Sequence, residues 1–128
     1  MTQKFESIFI EAISACVPKN KIKRDHFENL LGEKELNKFE KTTGIIERRY
    51  VDESVTASEL GFHAAKKIIE EEKCKNEIKG LIFLSQTSDY KIPFTSNILQ
   101  ERLKLPKEIL CLDINGGCAG FIQGLSVA

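Results

Sequence analysis

The chain has no surplus of charge, no long apolar run, no tryptophan and only two histidines among its 128 residues. Nineteen Lys and Arg side chains cancel nineteen Asp and Glu, which argues against nucleic acid or an anionic membrane as the main partner. The two signs interleave, as in Lys38-Phe39-Glu40-Lys41, the pattern of a solvated helix face. No stretch approaches the ~20 apolar residues of a membrane span, and Met1-Thr2-Gln3-Lys4-Phe5-Glu6 lacks the apolar centre of a secretory signal. The expected location is therefore cytoplasmic, where Cys16, Cys74, Cys111 and Cys118 stay reduced. Their spacing fits no zinc pattern, so no metal site is expected. P-loop, dinucleotide and metalloprotease motifs are missing as well, as are internal repeats and low-complexity segments.

What is present has the order of an α/β protein. The length fits one domain, 1–128, with enough apolar content for a core. Phe5, Ile8, Ile10 and Ile13 predict a first strand over Lys4 to Ala15, and Lys19-Asn20-Lys21 a turn after it. A short helical insertion over about 24–42 follows: one helix from Arg24 to Leu31 closed by Gly32, and a second from Glu33 to Thr42 with Gly44 as left-handed cap. Ile45 to Val51 reads as extended. Thr56-Ala57-Ser58-Glu59 has capping-box form and opens a helix to about Lys73, with Leu60, Ala64, Ala65, Ile68 and Ile69 on one face. Leu81 to Ser85 is a central strand, Thr95 to Leu103 a helix, and Ile109 to Ile114 a further buried strand. Strands alternating with helices imply a layered fold with mainly parallel central strands. Chemistry in such sheets sits at the carboxyl ends of strands.

Two such ends carry reactive residue types: Ser85-Gln86-Thr87 and Asn115-Gly116-Gly117-Cys118. The two glycines allow a tight turn, and Ala119 to Ala128 predicts an apolar helix beginning directly after Cys118. A thiol there meets unpaired amides and the positive end of the helix dipole, which favour thiolate. Two readings stand side by side: a nucleophilic cysteine or a buried structural one. Cys111 is expected to pack within the strand. His26 and His63 fit ordinary helix positions better than a base for Cys118. Arg48-Arg49 suits either a phosphate or structural ion pairing; alternate residues of a strand face opposite ways, so at most one would face a site. The chain stops at Ala128 inside an apolar helix without a C-cap, which is read as the N-terminal piece of something longer.

Asp113-Ile114-Asn115-Gly116-Gly117-Cys118-Ala119-Gly120-Phe121, followed by Gly124-Leu125-Ser126-Val127-Ala128, resembles the active-site segment of the β-ketoacyl-acyl carrier protein synthase III family. Upstream, Thr43-Gly44-Ile45-Ile46-Glu47-Arg48-Arg49 looks like that family's TGI-x-ER segment. Leu81-Ile82-Phe83-Leu84 and Ile92-Pro93 to Gln100 resemble its next strand and helix. The resemblance implies a thiolase-like layered fold, with this chain as the N-terminal half of a duplicated α/β architecture, usually in a homodimer. It further implies that Cys118 takes an acyl group from acyl-coenzyme A and passes it, with loss of carbon dioxide, to malonyl-acyl carrier protein. Coenzyme A would be a substrate, with no resident cofactor, and the family's catalytic His and Asn fall in the second half. The chain alone is expected to be inactive.

Three positions depart from the family. Its coenzyme A-holding Trp and Arg are matched by Lys38 and Thr42, which removes an indole face and a guanidinium. Its pocket-shaping Phe is matched by Ile92. Gly116 and Gly117 stand where alanines are common, and extra room is expected there. These departures motivate two alternatives: a thiolase-fold acyltransferase of a specialised pathway with another acyl donor or acceptor, and a non-catalytic half-domain that associates with another chain.

Overall fold

A computed structural model gives the structure of Lys4 and residues 6–128. They divide into two units, one of Val17–Thr56 and the other of Ala57–Ala128 with the segment ending at Cys16.

The smaller unit pairs two short antiparallel strands, β1 (Asn20–Ile22) and β2 (Arg48–Tyr50), in the register Asn20↔Tyr50 to Ile22↔Arg48. Between them lie α1 (Arg24–Leu31) and α2 (Glu33–Thr43), close to the predicted bounds. Gly44 caps α2 at φ 71°, ψ 4°, its N–H donating to the Glu40 carbonyl at 2.8 Å. A side chain there would strain the backbone, which is why glycine ends the helix. The predicted turn at Asn20-Lys21 is instead strand, because Arg48–Tyr50 offers it a ladder. Arg48 lies over the rings of Phe27 and Phe39 at 4.6 and 4.8 Å, and Arg49 donates to the Pro18 carbonyl at 2.8 Å. Both arginines have structural contacts.

The larger unit is a βα crossover with a helix before it. Helix α3 (Ala57–Glu72) leads to β3 (Gly80–Leu84), α4 (Thr95–Arg102), β4 (Leu110–Ile114) and α5 (Gly120–Val127). β3 and β4 pair in parallel from Gly80↔Leu110 to Leu84↔Ile114, a pairing that needs an intervening crossover, here α4. Leu99, Leu103, Leu105 and Ile109 form the buried core, packed by Phe62, Ala65, Ile69, Ile78, Leu81, Phe83 and Cys111. Helical spacing on α3 and the short apolar strands thus point at one core, as their patterns predict.

The first predicted strand is not formed. Phe5 lies outside the described residues, and residues 6–15 pair with no strand among those described. Ile8, Phe9, Ile10 and Ile13 are all exposed. An apolar pattern makes a strand only when another backbone satisfies its N–H and C=O groups, and neither β3 nor β4 does so. Among the described residues no helix is long and apolar enough to cross a membrane.

Candidate active site

The carboxyl ends of β3 and β4 finish level. Ser85 N–H donates to the Ile114 carbonyl at 3.1 Å, one step beyond the last ladder pair. The chain after β3 turns back on itself, Thr87 N–H reaching Ser85 Oγ at 3.0 Å. The chain after β4 passes through Asn115, Gly116 and Gly117 to Cys118. Gly120 N–H then donates to the Gly117 carbonyl at 2.8 Å, and α5 begins at Gly120, one residue later than predicted. Cys118 therefore sits in the turn just ahead of the helix, with its thiol exposed. The buried structural reading of this cysteine does not describe it in this chain.

The glycines here serve close approach rather than left-handed backbone; Gly32 and Gly44 alone among the described glycines have positive φ. A Cβ on Gly116 would lie 3.1 Å from Gly120 Cα, and one on Gly117 would lie 3.0 Å from Gln86 Nε2. The extra room expected at these positions is thus already taken, by the helix backbone at one and by the Gln86 amide at the other. A Cβ on Gly120 would lie 2.9 Å from Leu84 Cδ1, and one on Gly124, a turn later, 3.6 Å from the same atom. Small residues on this face let α5 rest on the end of β3.

Asp113 ties the next layer of the site together. Its two carboxylate oxygens accept the backbone N–H groups of Thr95 at 2.7 Å and Ser96 at 2.8 Å. These are amides of the first turn of α4, which the helix itself leaves without partners. Cys111, two residues earlier on β4, is half-buried, and burial followed by the Asp113 charge pushes its thiol pKa up. Asp89, in the loop between β3 and α4, accepts the hydroxyl of Ser58 on α3.

The other predicted site residues fall as follows. Ile92 stands in the turn before α4 and is 91% exposed, joined to Pro93 by a cis peptide. Lys38 and Thr42 lie one turn apart on α2 of the smaller unit, both exposed, with the Thr42 hydroxyl donating to the Lys38 carbonyl at 2.8 Å. His26 and His63 are exposed on α1 and α3; His63 Nε2 is 3.1 Å from Glu59. Glu59 also accepts Arg102 at 2.7 Å, and this hydrogen bond is the main reason its carboxyl titrates below the usual range. Among the described residues no group of three or more His, Cys, Asp and Glu is placed to hold a metal ion.

Sequence reading passed over two contributors. Asp113 is the lone charge in the apolar run Ile109–Ile114, and a carboxylate in such a strand signals donors waiting nearby. Gln86 carries no such signal, since its contact with Gly117 exists only once β3 and β4 are paired.

No protein-family model matches the chain. It is similar to β-ketoacyl-[acyl-carrier-protein] synthase III of Fusobacterium nucleatum, 35% identical over 96% of this chain and 37% of that protein. The enzyme of the same description from Staphylococcus epidermidis is 34% identical over 95% of this chain and 39% of its own length. The crystal structure of 3-oxoacyl-(acyl-carrier protein) synthase from Burkholderia xenovorans superimposes with a TM-score of 0.82 at 34% identity, covering 90% of this chain and 34% of that one. The chain spans little more than a third of the length of the curated relatives it matches.

Proposed function

The chain belongs to the β-ketoacyl-acyl carrier protein synthase III family of thiolase-like condensing enzymes, and from that premise we propose that its protein is a condensing acyltransferase with Cys118 as nucleophile. The observation that carries this is an exposed thiol in a glycine-built turn at the carboxyl end of a parallel strand pair, directly ahead of a helix. In the first half-reaction the Cys118 sulfur attacks the carbonyl of an acyl thioester. A new carbon–sulfur bond forms, the bond to coenzyme A breaks, and coenzyme A leaves as a thiol with the proton that Cys118 gives up. In the second, malonyl-acyl carrier protein loses carbon dioxide and the resulting carbanion attacks the Cys118 thioester. A carbon–carbon bond forms and the cysteine is released. Charge developing on the carbonyl oxygen is met by the Cys118 backbone N–H at the helix entrance.

Acyl-coenzyme A and malonyl-acyl carrier protein are the proposed substrates, with no resident cofactor, and a cytoplasmic homodimer is the proposed assembly. Ile92 would shape the acyl pocket. Lys38 and Thr42 would take part in donor binding, Lys38 as a point charge for a phosphate. Neither His26 nor His63 is read as the base, since both stand exposed on helices, and the 128 residues alone are expected to be inactive. The same Lys38 and Thr42 favour a second reading, in which the acyl donor is a carrier-protein thioester or the reaction belongs to a specialised pathway.

The test is intact mass and peptide mapping of the protein carrying this chain after incubation with acetyl-coenzyme A and, separately, acetyl-acyl carrier protein. One acetyl group on the Cys118 peptide, absent from Cys118→Ala, is the expected result. Labelling that persists in Cys118→Ala overturns the assignment. Labelling from the carrier protein alone selects the second reading.

A further inference from the structure

We propose that Asp113 is a positioning residue that sets the acyl-binding turn relative to Cys118; the inference rests on Cys118 being the acylated nucleophile. Asp113 sits on β4, five residues before Cys118. Its carboxylate holds the Thr95 and Ser96 amides at 2.7 and 2.8 Å, one on each oxygen. These amides lie three and four residues past Ile92, at the end of the turn that carries it. One side chain thus fastens the strand leading to the nucleophile to the turn presenting Ile92.

Several observations say that this contact fixes the corner. A carboxylate half-buried in an apolar strand carries a desolvation cost unless donors meet its charge. Two charge-assisted bonds at the positive end of a helix meet it. Thr95 and Ser96 are fully buried, and their hydroxyls have no hydrogen-bond partner. Their side chains therefore add no polar anchor of their own, and the Asp113 bonds to their backbone hold this entrance to α4. The exposed turn before it has Ile92 at 91% exposure and no comparable polar tie of its own among the hydrogen bonds of residues 90–94. Loss of the carboxylate frees the start of α4 to drift from β4. A drift of about 1 Å near a reacting centre changes rates substantially, and here it alters the space an acyl chain meets beside Cys118.

The experiment compares single-turnover acylation of Cys118 by acetyl and hexanoyl thioesters in the protein carrying this chain. Rates are normalised to the fraction of active thiol. Asp113→Asn removes one acceptor and keeps the shape. Thr95→Pro removes one donor without touching Asp113, at the first helical position where proline is tolerated; Phe94 at φ −58°, ψ 144° already has the backbone that a following proline requires. Thr95→Val removes the unpartnered hydroxyl and keeps the N–H. Asp113→Asn and Thr95→Pro should each shift the hexanoyl-to-acetyl ratio in the same direction by about tenfold, the worth of roughly a methylene of pocket space. Thr95→Val should leave the ratio unchanged. A lower active fraction with an unchanged ratio in both test variants would mean a merely structural role and overturn the proposal. An equal shift in Thr95→Val would overturn it too. A wild-type protein that takes no acyl group on Cys118 from either donor would overturn the nucleophile assignment instead, and the positioning role with it.

Discussion

Gly120→Ala puts a methyl group where α5 meets β3. The added carbon would lie 2.9 Å from Leu84 Cδ1, 3.1 Å from Cδ2 and 3.4 Å from Cγ. Both methyls and their branch carbon are in the way, so rotating the end of Leu84 exchanges one clash for another. Either Leu84 leaves its rotamer or α5 lifts from the sheet. Overpacking of this kind costs about 1–3 kcal/mol. Replacing glycine by alanine within a helix returns at most about 1 kcal/mol. The net expectation is a loss of about 1–2 kcal/mol, read as a lower urea midpoint at unchanged slope. Acylation of Cys118, two residues away, should slow as the start of α5 shifts. The decisive assay is a double-mutant cycle with Leu84→Ala, which removes the opposing methyls. In that background Gly120→Ala should become neutral or stabilising. An equal cost in both backgrounds would refute the steric argument, because the penalty would then arise somewhere other than the Leu84 contact.

Two further predictions concern titration. Burial, then the Asp113 charge, holds the Cys111 thiol above its ordinary pKa, so the unfolded chain releases that proton first. Its contribution to stability is complete below the unfolded thiol value and is lost as pH rises through the folded one. Urea midpoints between about pH 8 and 10 should fall less steeply in Cys111→Ala, and an identical slope in both proteins would contradict the shift. For Glu59 the sign is opposite. The Arg102 hydrogen bond lowers its pKa, so its contribution is present above the unfolded value and lost as pH falls through the folded one. Arg102→Ala, which also removes the guanidinium lying 4.2 Å over Phe62, should raise the Glu59 pKa in an NMR titration; an unmoved value would exclude Arg102 as its cause.

Local signals carried most of the fold. Both helices of the smaller unit, the Gly44 cap, α3, the two parallel strands and α4 follow from periodicity, caps and breakers within a few residues of each element. Cys118 was legible for the same reason, since strand, glycines and helix are contiguous. What depended on distant partners was not. The apolar pattern of residues 8–13 is real, yet a strand forms only where another backbone receives it. Asn20–Ile22 carries turn residues and is strand because Arg48–Tyr50 lies beside it. Gly116 and Gly117 were visible as glycines, but their reason is the proximity of Gly120 and Gln86, which no local pattern reveals. Asp113 belongs to the same class: the charge stands out in the sequence, and its donors lie 17 and 18 residues away.

The stacking of Arg48 on Phe27 and Phe39 has a consequence for how the smaller unit responds to solvent. Leu36 is its one buried apolar side chain among the described residues, too little apolar area to hold some 40 residues together by hydrophobic burial alone. Its cohesion leans on charged groups: Arg48 between two rings, and Arg24 reaching Glu28 and Glu40. Such contacts weaken as ionic strength rises, whereas burial of a leucine core does not. The unit bearing Lys38 and Thr42 is therefore the salt-sensitive one, and the unit bearing Cys118, built on Leu99, Leu103, Leu105 and Ile109, is the one that concentrated salt leaves intact.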